Sequence, residues 1–133
     1  MLGAFPHIHA KGLLHRDISP TNIFVREYEY LVVVKVSDFG LVHLPDSNLT
    51  TCHTEFKGYF NDPGLRLDGF DNYNIQHETY ALTRLIFYIM TGRTNTDRIP
   101  EGPMKAFLQK GFHSNRNERF QNVGELQQAL KAL

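Results

Sequence analysis

Between His77 and Thr91, apolar residues occupy nearly every side of a helical wheel: Tyr80, Ala81, Leu82, Leu85, Ile86, Phe87, Tyr88, Ile89 and Met90. A helix with one apolar stripe can lie on a surface, but one that is apolar all round has to be enclosed by other elements. Gly92 follows where a helix commonly stops, because glycine takes the left-handed conformation of a C-terminal cap without strain. The chain is therefore expected to wrap its other segments around this helix. Its 133 residues make one domain, large enough to build a core without metal or disulfide staples.

The enclosing segments are legible to different degrees. Leu2, Ala4, Phe5, Ile8, Leu13 and Leu14 follow a loose helical period broken by Gly12, which predicts a short helix ending in a turn. Ile23–Val25 and Leu31–Val36 are rich in β-branched residues and read as two strands, with residues 26–30 as the hairpin connection. From Leu41 to Asn74 no period is sustained, and so long an irregular stretch inside a compact chain points to function or mobility. A weaker helix is expected over Pro103–Lys110, ended by Gly111. The last helix is capped by Asn122, with Glu125 placed to complete a capping box, and Val123, Leu126, Leu130 and Leu133 form its apolar stripe.

Charge and composition exclude several classes. Fourteen Lys/Arg against fourteen Asp/Glu leave no basic excess for nucleic-acid phosphates. No uninterrupted apolar run is long enough to span a membrane, and the N-terminus carries no early basic stretch of a secretion signal. Cys52 is the single cysteine, so no internal disulfide forms, and a cytoplasmic setting is expected. His7 and His9 alternate without a third spaced ligand and read as surface or packing residues rather than a zinc site.

The sharpest chemical constellation is His15, Arg16, Asp17, then Asn22 before the first strand, then Asp38, Phe39 and Gly40 after the second. A hairpin brings its two outer flanks together, so Asp17, Asn22 and Asp38 are expected to share one pocket. Their hard oxygen atoms suit Mg²⁺, which takes one or two carboxylates and completes its shell with phosphates and water. Phosphoryl transfer needs mainly an aligned nucleophile and matched charge. On that reading Asp17 deprotonates the acceptor hydroxyl, Asn22 and Asp38 hold metal, and Gly40 allows a sharp turn. Asp and Asn beside strands are also common turn formers, so it is their joint order that carries weight.

The stretches HRDISPTN (residues 15–22) and VSDFG (residues 36–40) resemble the catalytic and metal-binding loops of eukaryotic-type protein kinases. ETYALTRLIFYIMTG (residues 78–92) is similar to the family's central helix, and ERFQNVGELQQAL (residues 118–130) to its closing helix with the preceding Arg. The resemblance implies an α+β, mainly helical fold over residues 1–133, the C-terminal lobe of a kinase with short β-hairpins and an activation segment over residues 38–64. It implies ATP and Mg²⁺ as cofactors and a Ser/Thr hydroxyl of a protein as substrate. In that frame Asp17 is the base, Asn22 and Asp38 bind metal, and His15 tethers backbone. Arg16 receives an activation-segment anion, for which Thr50, Thr51 and Thr54 are the candidate phosphate carriers.

Departures from the family pattern set further expectations. Ser19 stands where serine/threonine kinases usually have Lys, and Gly64 replaces the Glu of the family's Ala-Pro-Glu stretch, leaving Arg119 to find another partner or to face water. Glu78 and Thr83 replace the Asp and Gly of the central helix, and the extra methylene and β-branch are expected either to be absorbed by local shifts or to alter the catalytic loop's support. The span from Gly92 to Gly111 is short for the usual extra helix. The family's glycine-rich loop and phosphate-binding lysine belong to a smaller upstream lobe and do not occur in these residues, so the chain alone is expected to be weak or inactive. A chain carrying that lobe is one expected partner, and self-association through Leu2, Phe5 and Ile8 in residues 2–14 another. The competing reading is a noncatalytic kinase-like binding or structural module.

Overall fold

The computed structural model describes residues 1–38 and 58–133. Phe39, Gly40, Thr50, Thr51, Cys52 and Thr54, with most of the expected activation segment, lie outside them. A 3₁₀ turn at Leu2–Ala4 runs into α1 (Phe5–His9), and a second 3₁₀ turn at Pro20–Asn22 leads into the strands β1 (Ile23–Tyr28) and β2 (Leu31–Val36). Among the described residues four helices follow: α2 (Leu65–Asp68), α3 (Ile75–Thr91), α4 (Pro103–Gly111) and α5 (Val123–Lys131). Further 3₁₀ turns occupy Phe70–Asn72 and Arg116–Glu118. The stretch before Asn74 is thus less irregular than its composition suggested.

Helix α3 is the axis of the molecule. Leu82, Leu85 and Phe87 are fully enclosed by Phe5, Phe107, Leu108, Phe120 and Leu126 from the surrounding elements. The helix starts at Ile75, two residues before the expected His77, because Asn74 Oδ1 accepts from the Gln76 and His77 N–H groups. His77 Nδ1 accepts the Asn74 N–H in return at 3.0 Å, a reciprocal cap made by a histidine. Gly92 closes the helix in the left-handed conformation (φ 68°), with its N–H on the Tyr88 carbonyl. Ile89 and Met90, in the last turn, are exposed, so the enclosure stops short of the full apolar run.

Thr83 packs against Gly111 at the end of α4, where any Cβ would clash with the Thr83 side chain. The bulk added to α3 is thus accommodated by a missing side chain across the interface. At α5, Asn122 Oδ1 accepts the Glu125 N–H at 2.9 Å, while the Glu125 carboxylate takes the N–H of Gln121, one residue earlier than the expected box requires. Val123 and Leu126 are buried, Leu130 packs on the core edge, and Leu133 is exposed beyond the helix.

Two expectations need correction. The first strand runs to Tyr28, three residues past Val25, with Arg26, Glu27 and Tyr28 opposite Val33, Val32 and Leu31. Backbone pairing is indifferent to side-chain polarity where both sheet faces are open, and Phe24, Val25, Leu31 and Val32 are each more than half exposed. In residues 2–14, Leu2 and Phe5 are core residues and Ile8 packs beside them, so they form no exposed patch for self-association. The apolar surface lies instead on the hairpin.

Candidate active site

The loop from His15 to Asn22 has little regular structure, and a carboxylate from α3 holds it. Glu78, with no solvent exposure, accepts the His15 N–H at 2.7 Å on Oε1 and the Arg16 N–H at 3.1 Å on Oε2. The Tyr73 hydroxyl donates to Oε2 at 2.8 Å, and His9 Nε2 lies 3.2 Å from Oε1. Burial pushes this carboxyl up, but the bonds from His9, His15, Arg16 and Tyr73 outweigh it and hold it below the usual glutamate value. Burial, with the adjacent Glu78 charge and the bond to it, drives the Tyr73 hydroxyl well above its ordinary value, so it stays a donor. The extra methylene of Glu78 therefore does not cost the loop its support.

Anchored in this way, the loop turns sharply at Arg16, a non-glycine residue at φ 67°. His15 Nδ1 accepts the Asp17 N–H at 3.3 Å, so the proton on Nε2 is free to donate to the Ser37 carbonyl at 2.8 Å. The Ser37 N–H in turn donates to the Asn22 carbonyl at 2.9 Å, one step beyond the Ile23–Val36 pair of the hairpin. Asn22 Nδ2 donates to the Asp17 carbonyl at 2.8 Å and to Asp17 Oδ2 at 3.2 Å. Asp17 and Asn22 thus touch directly, and Asp38, at φ 61° and exposed, follows the Ser37 backbone that both His15 and Asn22 grip.

With its amide nitrogen committed to Asp17, Asn22 has Oδ1 left as an oxygen donor. Together with the Asp17 and Asp38 carboxylates this is a hard donor set that suits Mg²⁺. Among the described residues no three His, Cys, Asp or Glu side chains gather as a metal cluster, so such an ion would draw further ligands from phosphate and water. Ser19 is buried, with its hydroxyl 2.7 Å from that of Thr21, and contributes no charge to this side of the loop.

The Arg16 side chain reaches the segment around Phe70. Its guanidinium lies 4.3 Å from the centre of the Phe70 ring and donates from Nη2 to the Phe70 carbonyl at 2.5 Å. Nε is buried and has no hydrogen-bond partner among the described residues. Arg119 does find another carboxylate: Nη1 donates to Asp62 Oδ2 at 2.5 Å, and Nε to the His113 carbonyl at 2.6 Å. Asp62 lies two residues before Gly64 and accepts the Gly64 N–H on Oδ1 at 2.8 Å. Arg116 bonds Asp68, and His77 Nε2 lies 3.3 Å from the same carboxylate, which extends the cluster. Sequence reasoning missed Asp62, Tyr73 and His9; only Asp62, an acidic residue beside the lost Glu, left a readable signal.

The protein kinase domain profile matches residues 1–132. The chain is 33% identical over 93 residues to the serine/threonine-protein kinase Pkn1 of Myxococcus xanthus, covering 64% of this chain and 13% of that protein. It is 31% identical over 98 residues to the probable serine/threonine-protein kinase PknB of Lactococcus lactis, covering 73% and 15%. To human mitogen-activated protein kinase 4 it is 30% identical over 102 residues, covering 70% and 16%. The crystal structure of the Mycobacterium tuberculosis PknI kinase domain superposes with a TM-score of 0.72 at 19% identity, over 98% of this chain and 50% of that one. The helical architecture with its single described hairpin has the fold of a kinase C-terminal lobe, and the chain spans a minor part of its curated relatives' length. Among the described residues no helix is long and apolar enough to cross a membrane.

Proposed function

Because this chain belongs to the protein kinase domain family, we propose that it supplies the base and metal-binding side of an ATP- and Mg²⁺-dependent site that phosphorylates Ser or Thr hydroxyls of a protein. The observation that supports this most is the double grip on Ser37, by the His15 imidazole and the Asn22 carbonyl, which ties the residue before Asp38 to the loop carrying Asp17 and Asn22. Asp17 orients the acceptor hydroxyl and takes its proton. Asn22 Oδ1 and the Asp38 carboxylate hold the cation. When bound, Mg²⁺ neutralises charge on the nucleotide phosphates.

Arg16 belongs to the same reading as the receiver of a phosphate on Thr50, Thr51 or Thr54, and its buried Nε, which has no hydrogen-bond partner among the described residues, supports that role. With Ser19 in place of a cation and without the glycine-rich loop and lysine of the family's smaller lobe, transfer by these 133 residues is slow. A smaller lobe, on this polypeptide or on a partner chain, completes the site in this reading, and a cytoplasmic setting supplies both nucleotide and metal.

Calorimetric titration with Mg²⁺ and a nonhydrolysable ATP analogue tests the reading. Saturable binding is expected, and its loss in Asp38→Ala. Radiolabel transfer to a protein acceptor, measured with and without a smaller-lobe chain, should drop roughly 10²–10⁴-fold in Asp17→Ala. No heat at millimolar nucleotide would instead favour the noncatalytic module.

A further inference from the structure

A cavity of about 300 Å³ opens beside Gly64, walled by Pro63 and the rings of Tyr80 and Phe112 and edged by Ser114, Arg116 and Arg119. Gly64 has helical backbone angles (φ −62°, ψ −20°) that any residue adopts, so the chain path there does not require glycine. A Cβ at this position would stand 3.4 Å from Arg116 Nη2 and 3.2 Å from Asp62 Oδ1. A side chain at residue 64 would therefore run toward the charged rim, and its absence leaves that space open.

The rim holds unused donors. Arg119 is only 4% exposed, and its Nη1 and Nε are taken by Asp62 and the His113 carbonyl. Nη2 has no hydrogen-bond partner among the described residues and, unlike the buried Nε of Arg84, is open to solvent on the cavity that Arg119 lines. The Tyr80 hydroxyl likewise has no partner among the described residues, and burial holds it above the ordinary tyrosine value, so it stays a donor. The Tyr80 ring lies 4.8 Å from the Arg119 guanidinium and 5.3 Å from the Phe112 ring. Arg116 uses Nη2 on Asp68 and keeps Nε 3.8 Å from Asp62, too far for a hydrogen bond. Guanidinium and phenol donors that converge beside aromatic rings suit an oxyanion with an apolar body. Asp62 and Asp68 stand close by, so a second negative charge on the ligand is repelled and a monoanion is favoured.

We propose that this cavity binds a small apolar monocarboxylate, whose carboxylate accepts from Arg119 Nη2, the Tyr80 hydroxyl and Arg116 while its body lies against Pro63 and the two rings. The ligand takes the place of the side chain that Gly64 lacks, and braces residues 62–64 against residues 112–119. Binding needs no nucleotide, metal or phosphoryl transfer, so it stands apart from the kinase reading.

Amide chemical-shift titration of the full chain by NMR, at constant ionic strength, tests it. The probes are benzoate, propionate, the neutral benzamide and inorganic phosphate. At least one of the two acids should give saturable shifts at the Gly64 and Ser114 N–H groups, with a dissociation constant no weaker than about 10 mM. That acid should bind about tenfold tighter than benzamide or phosphate, a difference of about 1.4 kcal/mol. Gly64→Glu places a carboxylate of its own in the cavity and should abolish binding, whereas Tyr80→Phe should weaken it severalfold. The two variants are read independently, so Tyr80→Phe decides the matter if Gly64→Glu does not fold. No saturable shift with either acid, benzamide or phosphate binding as tightly as the acids, or full affinity in a folded Gly64→Glu or Tyr80→Phe would each overturn the proposal.

Discussion

Helix α3 meets the rest of the molecule in two different ways. On its loop side a single charge, Glu78, is held by two backbone N–H groups, a phenol and an imidazole. On its other side Asp62, Asp68, Arg116, Arg119 and His77 form a cluster of opposed charges, and Thr83 fits the gap at Gly111. The first arrangement fixes backbone atoms and hence the geometry of residues 15–17. The second ties side chains of distant segments to one another, as Arg119 is tied to Asp62. A hydrogen-bonded anchor defines coordinates, whereas a charge cluster mainly requires that the signs balance.

The widest test of that contrast is Glu78→Ala. It strands buried donors at His15, Arg16 and Tyr73, and should destabilise the chain by about 3–5 kcal/mol in urea denaturation. A loss below about 1 kcal/mol would mean that water or a neighbour replaces the carboxylate and that the anchor reading is wrong. Next comes Gly111→Ala, whose new methyl meets Thr83. Overpacking of this kind costs about 2 kcal/mol, and Thr83→Ala in the same chain should recover most of it. A double-mutant cycle with no coupling between the two would separate them.

Tyr73→Phe removes one donor from Glu78 and leaves the ring stack on His77 in place. It should cost about 1.5 kcal/mol, as expected for a hydrogen bond to a charged group, and a neutral result would show that three donors suffice. The smallest effect concerns acid. Burial lowers the His77 proton affinity below the ordinary histidine value; Asp68 and Asp62 oppose the shift, and Arg116 adds to it. The unfolded chain then binds that proton more readily, so stability should begin to fall as pH drops below about 6.5.

Asp62 behaves like Glu78, with burial opposing and the bonds from Arg119 and Gly64 prevailing to lower its carboxyl. Their contributions are complete above the unfolded carboxylate range near about 4 and vanish as pH falls through the folded values. Denaturation midpoints between pH 3 and 8 should therefore show a shallow upper phase and a steep lower one. His77→Gln should remove only the upper phase; identical profiles would discard the assignment.

Much of this could be read without coordinates. The all-round apolar pattern of residues 80–88, the glycine stops and the two β-branched runs are local regularities within one or two turns of chain. The order of His15, Asp17, Asn22 and Asp38 around a hairpin was equally legible, because a hairpin makes its flanks neighbours whatever else surrounds it. The Asn74 cap was overlooked because its partner is a histidine, and the Glu125 carboxylate turned to Gln121 because a cap choice depends on a backbone torsion no pattern displays. Leu2 and Phe5 were misjudged because exposure depends on what lies opposite, which here is the distant α3 and its neighbours.

What the amino-acid order determined by itself is the central helix, the hairpin and the family-like spacing of the chemical residues, since each arises from contacts between near neighbours. Only the tertiary structure decided that Glu78 would be met by His9 from 69 residues away and Arg119 by Asp62 from 57 residues away. It alone decided that Phe24, Val25, Leu31 and Val32 of the hairpin stay exposed. Periodicity is set by the local geometry of the backbone, but the partner of a buried charge is set by which distant groups packing brings within about 3 Å, and that distance is a property of the whole fold.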